Sequence, residues 1–504
     1  MASDSKDEKL QDVLQGDIWS KGFPKYHETY YLFQIDPNRA KEFARSLRTL
    51  VHPQSSLISS LAKVKRDWDR IQVEKTRSEA AKEPKPKELD MANALIAFTF
   101  KGLDVINHGL SSTDDILELG VVESTDPAFS RGMKEDGTSL HDSTIVDAPF
   151  DSPNLVIHGL LKVAGNSPQM VNDLLEKIKK ALNHDKKVIM DLPGGDKVPS
   201  RIDGATREDR GKEHFGFEDG ISQPLMAGID TIPPAAKADD FTMVTDQSIL
   251  IVTDETHTSI MPQRRPKWMH RGSFLVFRKL EQNVDAFHDL CEQNYKKFHL
   301  ENAAHLAAKL MGRWPSGAPI AVNTYATADA PHKDLETVKR MNHFSYEPVH
   351  PPAPRLCPLS AHIRKTNPRV SPGTNDGDRG FRFSRIIRGG IPYGKEWKKG
   401  DGLKRGLLFS CYQGYIEDGF RHMQVGWCND ADFPNIRREK VGIDPIVGQH
   451  KDPNTMESLI IEARPGVEEK GQSLPITPQL VTFRGGEYFF APSIKALREE
   501  LSNV

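Results

Sequence analysis

The pattern of apolar and polar positions repeats one arrangement four times: a short apolar run, then a segment with helical spacing. The predicted strands are residues 30–35, 154–159, 272–278 and 406–412. The helices predicted to follow them are residues 39–50, 170–182, 284–298 and a segment through Phe420, Met423 and Trp427. Two such units fall in each half of the chain. This predicts two tandem α+β domains of one kind, each an antiparallel sheet covered by helices.

The segments between these units indicate where the two domains divide. Residues 125–152 are rich in Asp, Ser and Gly and are predicted to be a loop. The boundary between the halves is expected near residues 225–270. We therefore predict an N-terminal domain over residues 1–260 and a C-terminal domain over residues 261–504.

Composition and charge are those of an ordinary globular protein. Of 504 residues, 37% are hydrophobic and 27% are charged, and 68 basic against 70 acidic residues give a formal net charge of −2. This balance gives no reason to expect nucleic acid or an anionic membrane as a partner. The first nine residues are polar, and no run approaches the ~18 apolar residues of a spanning helix. We expect a soluble protein with no visible secretory leader, either cytoplasmic, or extracellular by leaderless export or as a mature form.

Four cysteines are present, at positions 291, 357, 411 and 428. None is in a Cys-x-x-Cys spacing, so the sequence indicates neither a zinc ribbon nor a thioredoxin motif. Four cysteines in a chain of this size do not suggest a disulfide scaffold, and we predict mostly buried free thiols.

The first candidate functional residue is Asp219, in the sequence Gly-Phe-Glu-Asp-Gly at 216–220. An Asp-Gly pair is typical of a turn, and a hairpin turn with a solvated carboxylate is one interpretation. The other is a site acid. Glycines beside an acid let a flat ligand approach the backbone, and the flanking Phe215 and Phe217 are expected to raise the pKa of the carboxyl group.

The second candidate is His362, in Ala-His-Ile-Arg-Lys-Thr-Asn-Pro-Arg at 361–369. Small residues before it leave room for a cofactor. The cations after it, Arg364, Lys365 and Arg369, are placed to meet cofactor carboxylates. A solvated basic loop fits the same charge run.

The third candidate is Arg388, at the end of a predicted strand over residues 381–388 and directly before Gly389-Gly390. An arginine at a strand end before two glycines can reach into a cavity. The alternative is an ion pair with a surface acid.

Together, these three segments resemble the dye-decolorizing peroxidase family, and the length and insertions are most similar to its fungal-type branch. Their order fits, and so do their separations of 143 residues (362 − 219) and 26 residues (388 − 362). The likeness extends over almost the whole chain, from residues 15–18 to residues 489–492. It implies two tandem ferredoxin-like domains and one haem b per chain, held in the C-terminal half.

The resemblance also implies a role for each matching residue. It assigns the proximal iron ligand to His362, the carboxylate behind it to Asp444, the distal catalytic pair to Asp219 and Arg388, and the apolar lining of the distal pocket to Leu407 and Phe409. In such a site the acid moves the peroxide proton and the arginine stabilises the charge that develops as the O–O bond breaks.

The activity implied is a peroxidase that uses hydrogen peroxide to oxidise bulky aromatic substrates, such as dyes, phenolics and lignin-derived compounds. Such substrates cannot enter a pocket lined by Leu and Phe, so electrons must reach the surface. Tyr393 and Trp397 are candidate relays, with plain packing as the alternative. The many carboxylates are compatible with a surface manganese site, at positions that the sequence does not specify.

Two other functions compete with this interpretation. A non-enzymatic haem-binding or haem-handling protein on the same fold would keep His362 but would need neither Asp219 nor Arg388. A metal-dependent hydrolase would be expected to show closely spaced ligands such as His-x-His or His-Glu-x-x-His, and neither occurs in the sequence.

Overall fold

The computed structural model describes most of the 504-residue chain. The described residues are 8–54, 56–83, 86–110, 117–142, 146–152, 155–231, 244–253, 264–321, 356–369, 383–434, 440–450, 456–461 and 471–504, with residues 342, 344, 346 and 452.

The strands are short to medium in length and are numbered in chain order. They are β1 (His27–Ile35), β2 (Ala92–Phe98), β3 (Gly159–Gly165), β4 (Ile189–Asp191), β5 (Arg201–Ala205), β6 (Leu225–Met226), β7 (Val244–Thr245), β8 (Ser273–Gln282), β9 (Ile387–Arg388), β10 (Ile391–Tyr393), β11 (Gly406–Gln413), β12 (Glu457–Ile461), β13 (Gln472–Pro475) and β14 (Val481–Ala491).

The helices are mostly short, and the longest is α3. The α-helices are α1 (Leu10–Val13), α2 (Ala40–Leu50), α3 (Leu61–Ala80), α4 (Phe100–Leu110), α5 (Leu119–Thr125), α6 (Pro127–Arg131), α7 (Met133–Leu140), α8 (Pro168–Ala181), α9 (Gln247–Leu250), α10 (Val284–Asn294), α11 (Ala303–Met311), α12 (His362–Thr366) and α13 (Ile494–Glu499). Single 3₁₀ turns lie at Pro37–Arg39, His184–Lys186, Gly195–Lys197, Lys267–Met269 and Tyr295–Phe298, and a π-helix runs over Glu417–Cys428.

Ten strands form one antiparallel sheet in the order β10-β11-β8-β14-β2-β3-β1-β4, with β5 beside β1 and β9 beside β11. The strands of the first half of the chain thus lie at one end of the sheet and those of the second half at the other. They meet where Phe490 of β14 pairs with Phe98 of β2. The fold is the α+β arrangement of antiparallel strands and covering helices that the sequence predicts. The division at residue 260 stays a prediction.

Aromatic side chains continue the core across this junction. Phe98 packs edge-on against Phe43 of α2, with ring centroids 6.0 Å apart. On the other side, Phe274 contacts both Phe490 and Phe129, each at 5.1 Å. Since these rings are fully or almost fully buried, the two ends of the sheet share one apolar cluster.

Three of the four predicted strands are confirmed, because β1, β8 and β11 cover residues 30–35, 273–278 and 406–412. The strand predicted over 154–159 is wrong. Residues 155–158 form no strand and residue 154 lies outside the described residues, whereas β3 begins at Gly159. Strand β3 is a central strand, paired with β1 and β2, and all seven of its residues are buried.

The loop predicted over residues 125–152 is also wrong in part, because α6 and α7 lie within it. The two helices bury Phe129, Met133 and Leu140. Their burial decides the local structure against the weak helix preference of Asp, Ser and Gly. The predicted helix through Phe420 and Trp427 forms as a π-helix.

All four cysteines are buried and free, as predicted. Among the residues that the structure describes, no helix is both long enough and apolar enough to cross a membrane.

Candidate active site

A large cavity opens on one face of the second-half strands. Its volume is about 1800 Å³ when the open mouth is included. Strand β8 contributes Arg278, Leu280 and Gln282, and β11 contributes Leu407 and Phe409, since alternate residues of a strand share a face. The rest of the lining includes side chains from residues 213–224, α12, residues 384–388, the π-helix and residues 446–449. Most of the lining therefore lies in the second half of the chain.

Asp219 lies on a tight turn at the wall of this cavity. The turn needs glycine at both ends of the motif, because Gly216 and Gly220 have φ of 95° and 79°, a region that favours glycine. The Asp219 N–H donates to the Gly211 carbonyl at 2.8 Å, and the Gly220 N–H donates to Asp219 Oδ1 at 2.6 Å. The carboxylate belongs to a turn, as one interpretation holds, but it faces the cavity and not bulk solvent alone.

Arg388 binds this carboxylate directly. Its Nη1 donates to Asp219 Oδ1 at 2.6 Å, and its Nη2 donates to the Ser222 carbonyl at 2.9 Å. The acid and the arginine, 169 residues apart in sequence, form one pair on one wall of the cavity. The acid that the arginine pairs with is thus Asp219 and not an unrelated surface acid.

The expected rise in the pKa of Asp219 is wrong in direction. Burial alone would raise the pKa, but the charge and hydrogen bond of Arg388 and the Gly220 N–H lower it below its ordinary value. Phe215 and Phe217 do line the cavity, packed against Phe287 at 4.4 and 6.2 Å. Their drying effect is outweighed by the guanidinium.

His362 begins α12 and also lines the cavity. Its Nδ1 shares a hydrogen bond of 2.8 Å with Oδ2 of Asp444, which is fully buried. The other oxygen of Asp444, Oδ1, accepts the N–H groups of Ile446 and Val447 at 2.8 and 3.0 Å. Burial raises the pKa of Asp444, but His362 and these N–H groups lower it overall, so it is a carboxylate. Nδ1 is thereby engaged and Nε2 is left for the cavity.

The cations after His362 separate into two groups. Arg364 and Lys365 are buried and point away from the cavity, toward the carbonyls of Cys357 (3.0 Å) and Asp430 (2.7 Å). The placement of Arg364 and Lys365 at cofactor carboxylates is therefore wrong, and so is the solvated basic loop. Arg369 does line the cavity, and among the described residues its buried Nε has no hydrogen-bond partner.

Comparison with known proteins decides the family. The model described as "DyP dimeric alpha+beta barrel domain" matches residues 13–196, and the one described as "Dyp-type peroxidase, C-terminal" matches residues 250–434. Dye-decolorizing peroxidase AauDyP1 of Auricularia auricula-judae is 30% identical over 522 aligned residues, which cover 97% of this chain and 87% of that protein. The chain belongs to the dye-decolorizing peroxidase family. It is a haem peroxidase.

Solved structures agree along the length of this peroxidase. An ancestral D-type dye-decolorizing peroxidase has a TM-score of 0.75 at 33% identity, with 97% of this chain and 99% of that chain covered. A dye-decolorizing peroxidase in complex with 2,6-dimethoxyphenol has a TM-score of 0.74 at 28% identity, with 98% and 100% covered.

The cavity of this peroxidase fits a haem group. His362 offers the Nε2 of an imidazole whose other nitrogen is held by a buried carboxylate. Arg369 offers a buried N–H group without a partner among the described residues, suited to a propionate. Apolar side chains that include Leu407, Phe409 and Phe420 supply the surface that a porphyrin requires.

The two candidate relay residues lie outside the cavity wall. Tyr393 is on β10, paired with Gly406 of β11, one position from the lining residue Leu407. Trp397 is half-buried, and its Nε1 donates to Asp285 at 3.2 Å.

Sequence reasoning missed several residues that this peroxidase places at the site. Gln223 forms hydrogen bonds with the backbone of Arg388. The one feature of the sequence that could have pointed to it is its position four residues after Asp219. Arg278, a cavity cation, stacks on Phe483 at 4.2 Å and pairs with Asp142. The sequence could have pointed to Arg278 through the alternation along β8, because residues 278, 280 and 282 lie on the same face of the strand.

Two buried lysines near the site were also missed. Lys25 and Lys162 both donate to the carbonyl of Gly389, at 3.0 and 2.7 Å. Lys162 is fully buried and also pairs with Asp17 at 2.6 Å. This lysine clamp joins the first half of the chain to the residue directly after Arg388.

Proposed function

We propose that the cavity binds one haem b per chain and that the enzyme uses hydrogen peroxide to oxidise phenols and bulkier aromatic compounds by single electrons. Two hydrogen-bonded pairs, Asp219–Arg388 and His362–Asp444, carry the proposal. Asp219, Arg388 and His362 all line the same cavity. A haem-binding protein without catalysis would need only the second pair. The similar solved structure of a dye-decolorizing peroxidase in complex with 2,6-dimethoxyphenol supports phenols as a substrate class.

Haem, when bound, would supply the iron at which peroxide is reduced and would take up the electrons that the substrates give up. His362 would hold that iron through Nε2. Asp444 keeps the Nδ1 proton of the imidazole in a fixed direction and strengthens the donation of electron density by the ring. Arg369 would bind a propionate.

Asp219 is proposed to carry the proton. Reduction of hydrogen peroxide to two waters consumes two electrons and two protons, and one proton must move between the two oxygen atoms. Oδ1 of Asp219 already accepts from Arg388 and Gly220, and in the described structure Oδ2 accepts no hydrogen bond. Oδ2 is therefore the atom that takes the proton and returns it to the departing oxygen.

Arg388 is proposed to stabilise the departing oxygen. Negative charge develops there as the O–O bond breaks, and a fixed guanidinium beside it lowers the barrier. Because Ser222 and Asp219 hold both Nη atoms, the cation needs no reorganisation when the charge appears.

A spectrum and a cofactor analysis test this proposal. The purified protein is expected to show a Soret band that changes on one equivalent of peroxide, and a pyridine haemochrome assay should return haem b in a 1:1 ratio to chain. A colourless protein after haem supplementation, or a different tetrapyrrole, would contradict it.

The pH dependence of the peroxide reaction should follow the lowered pKa of Asp219. The reaction needs the carboxylate form, and an ordinary aspartic acid titrates near pH 3.9. Because Arg388 holds the folded pKa lower, the carboxylate persists below that pH and the rate should fall only in more acidic solution. Stopped-flow rates between pH 2.5 and 7 check this. A half-maximal rate above about pH 4 would contradict a depressed pKa.

Trp397 is proposed as the point at which electrons given up by bulky dyes enter the protein. Its ring stacks on His288 at 4.6 Å, His288 contacts Phe287 at 5.6 Å, and Phe287 contacts the cavity residue Phe215 at 4.4 Å. This row of rings connects the half-buried indole with the cavity. Tyr393 has no such row among the described ring contacts.

Trp397→Phe should therefore slow the oxidation of an anthraquinone dye several-fold and leave the peroxide reaction unchanged. Trp68→Phe is the matched control, since Trp68 is also half-buried and loses one N–H bond, to the Gly22 carbonyl. Equal dye turnover by both variants and the parent enzyme would remove Trp397 from this role.

A further inference from the structure

The side chain of Gln223 brackets the backbone of Arg388. Its Oε1 accepts the Arg388 N–H at 3.0 Å, and its Nε2 donates to the Arg388 carbonyl at 2.7 Å. The amide thus satisfies both backbone groups of one residue, as a neighbouring strand would.

The position of Arg388 at a sheet edge explains why an amide is needed there. Strand β9 contains only Ile387 and Arg388, and it pairs with β11 through Cys411 opposite Arg388. The next residue, Gly389, donates its N–H to Ser410 of β11 at 2.9 Å. Because successive residues of a strand direct their backbone groups to opposite sides, those of Arg388 face the open edge. Gln223 occupies that edge.

The segment that supplies Gln223 also supplies the partners of the guanidinium. Asp219 and Ser222 accept from Nη1 and Nη2, and Gln223 holds the backbone of the same arginine. Three residues of the short segment 219–223 therefore hold the guanidinium and the backbone of Arg388. The lysine clamp on Gly389 fixes the chain on the other side.

We propose that Gln223 is a positioning residue for the peroxide reaction, which sets the distance between the Arg388 guanidinium and the Asp219 carboxylate. The proposal rests on the proposed roles of that pair. Among the described hydrogen bonds, those of Gln223 go to the backbone of Arg388 and not to the guanidinium or the carboxylate, so it acts through that backbone. In the described part of the chain, β11 and the lysine clamp would then be left to hold the backbone of the two-residue strand.

Gln223→Met tests the proposal in the holoenzyme, because methionine keeps the length of the side chain and removes both hydrogen bonds. A displacement of the arginine by about 1 Å is expected to slow the peroxide reaction by roughly 10- to 100-fold. The acid limb of the pH–rate profile is the part in which the rate falls as the solution becomes more acidic. It should move to higher pH as Arg388 leaves Asp219. The described titratable groups that act on Asp219 are Arg388, His362 and Glu213, and the variant retains all three.

Hydrogen exchange gives a readout that is independent of peroxide chemistry. The amide of Arg388 should exchange faster in Gln223→Met, measured by mass spectrometry on peptides that contain residues 386–389. Gln34→Met is the matched control, since Gln34 also donates to a backbone carbonyl, that of Val156 at 2.7 Å, far from the cavity lining. It should change neither the exchange at Arg388 nor the acid limb.

Gln223→Asn covers the case in which Gln223→Met does not fold. Its amide is one methylene shorter and cannot reach both backbone groups, so an intermediate shift of the acid limb is expected. The proposal is overturned if exchange at Arg388 stays slow, or if exchange quickens while the rate and the acid limb remain those of the parent. Failure of the proposed function would instead appear as full activity of Asp219→Asn, measured in parallel.

Discussion

Asp219→Asn is expected to slow the reaction with hydrogen peroxide by about 10²- to 10⁴-fold, the range typical of a lost general acid–base group. The asparagine keeps an oxygen that can accept from Arg388 and the Gly220 N–H, so the turn should persist. What it loses is the proton-accepting oxygen Oδ2. Stopped-flow measurement of the Soret change at several peroxide concentrations gives the second-order rate constant.

The control for this variant is a second acid–arginine pair outside the cavity. Like Asp219, Asp401 pairs with an arginine, Arg405, and accepts backbone N–H groups, those of Leu403 and Lys398. Asp401→Asn should leave the rate constant unchanged. A Soret band of parent intensity in Asp219→Asn shows that haem is retained, and with that band a parent-like rate would falsify the role of Asp219.

Arg388→Leu is expected to lower the same rate constant by about 10²- to 10³-fold, as the loss of one fixed donor to a developing negative charge does. A second effect adds to this, because Arg388 depresses the pKa of Asp219. Removal of the cation should raise that pKa, so the acid limb moves toward neutral pH. Rates measured well above the limb isolate the first effect, and the shift of the limb measures the second.

The double variant Asp219→Asn/Arg388→Leu should lose less than the product of the single losses, because the two residues act as a unit. Arg405→Leu is the matched control for the arginine, and its rate should equal that of the parent. A fully multiplicative double variant would show that the hydrogen bond between Arg388 and Asp219 has no part in the reaction.

The sequence predicted which residues meet at the cavity better than it predicted their surroundings. Asp219, His362 and Arg388 were named because each lies in a short motif, and the structure brings all three to one cavity. Their catalytic and ligand roles stay predictions. Asp444 was predicted from the resemblance, and its hydrogen bond to His362 bears out the placement.

Most of the errors share a physical cause, since they concern residues whose environment is set by distant parts of the chain. Lys365 looks exposed in a basic run, yet it is buried and donates to the carbonyl of Asp430, 65 residues away, whereas Arg364 is buried against the nearby carbonyl of Cys357. The pKa of Asp219 is decided by an arginine 169 residues away. The strand β3 was misplaced because residues 154–158 are as apolar as the strand itself, and pairing with β1 and β2 selects the later segment.

The lysine clamp on Gly389 has a consequence for the modularity of this protein. The fragment that begins near residue 261 contains His362, Arg388 and most of the cavity wall. By this count alone it would be expected to form the site without the other half. Yet Lys25 and Lys162, which donate to the carbonyl of Gly389, belong to the other fragment. Asp219 and Gln223 belong to it as well. Each half therefore lacks part of the proposed site. If the two halves were produced as separate fragments, neither is expected to have the peroxidase activity.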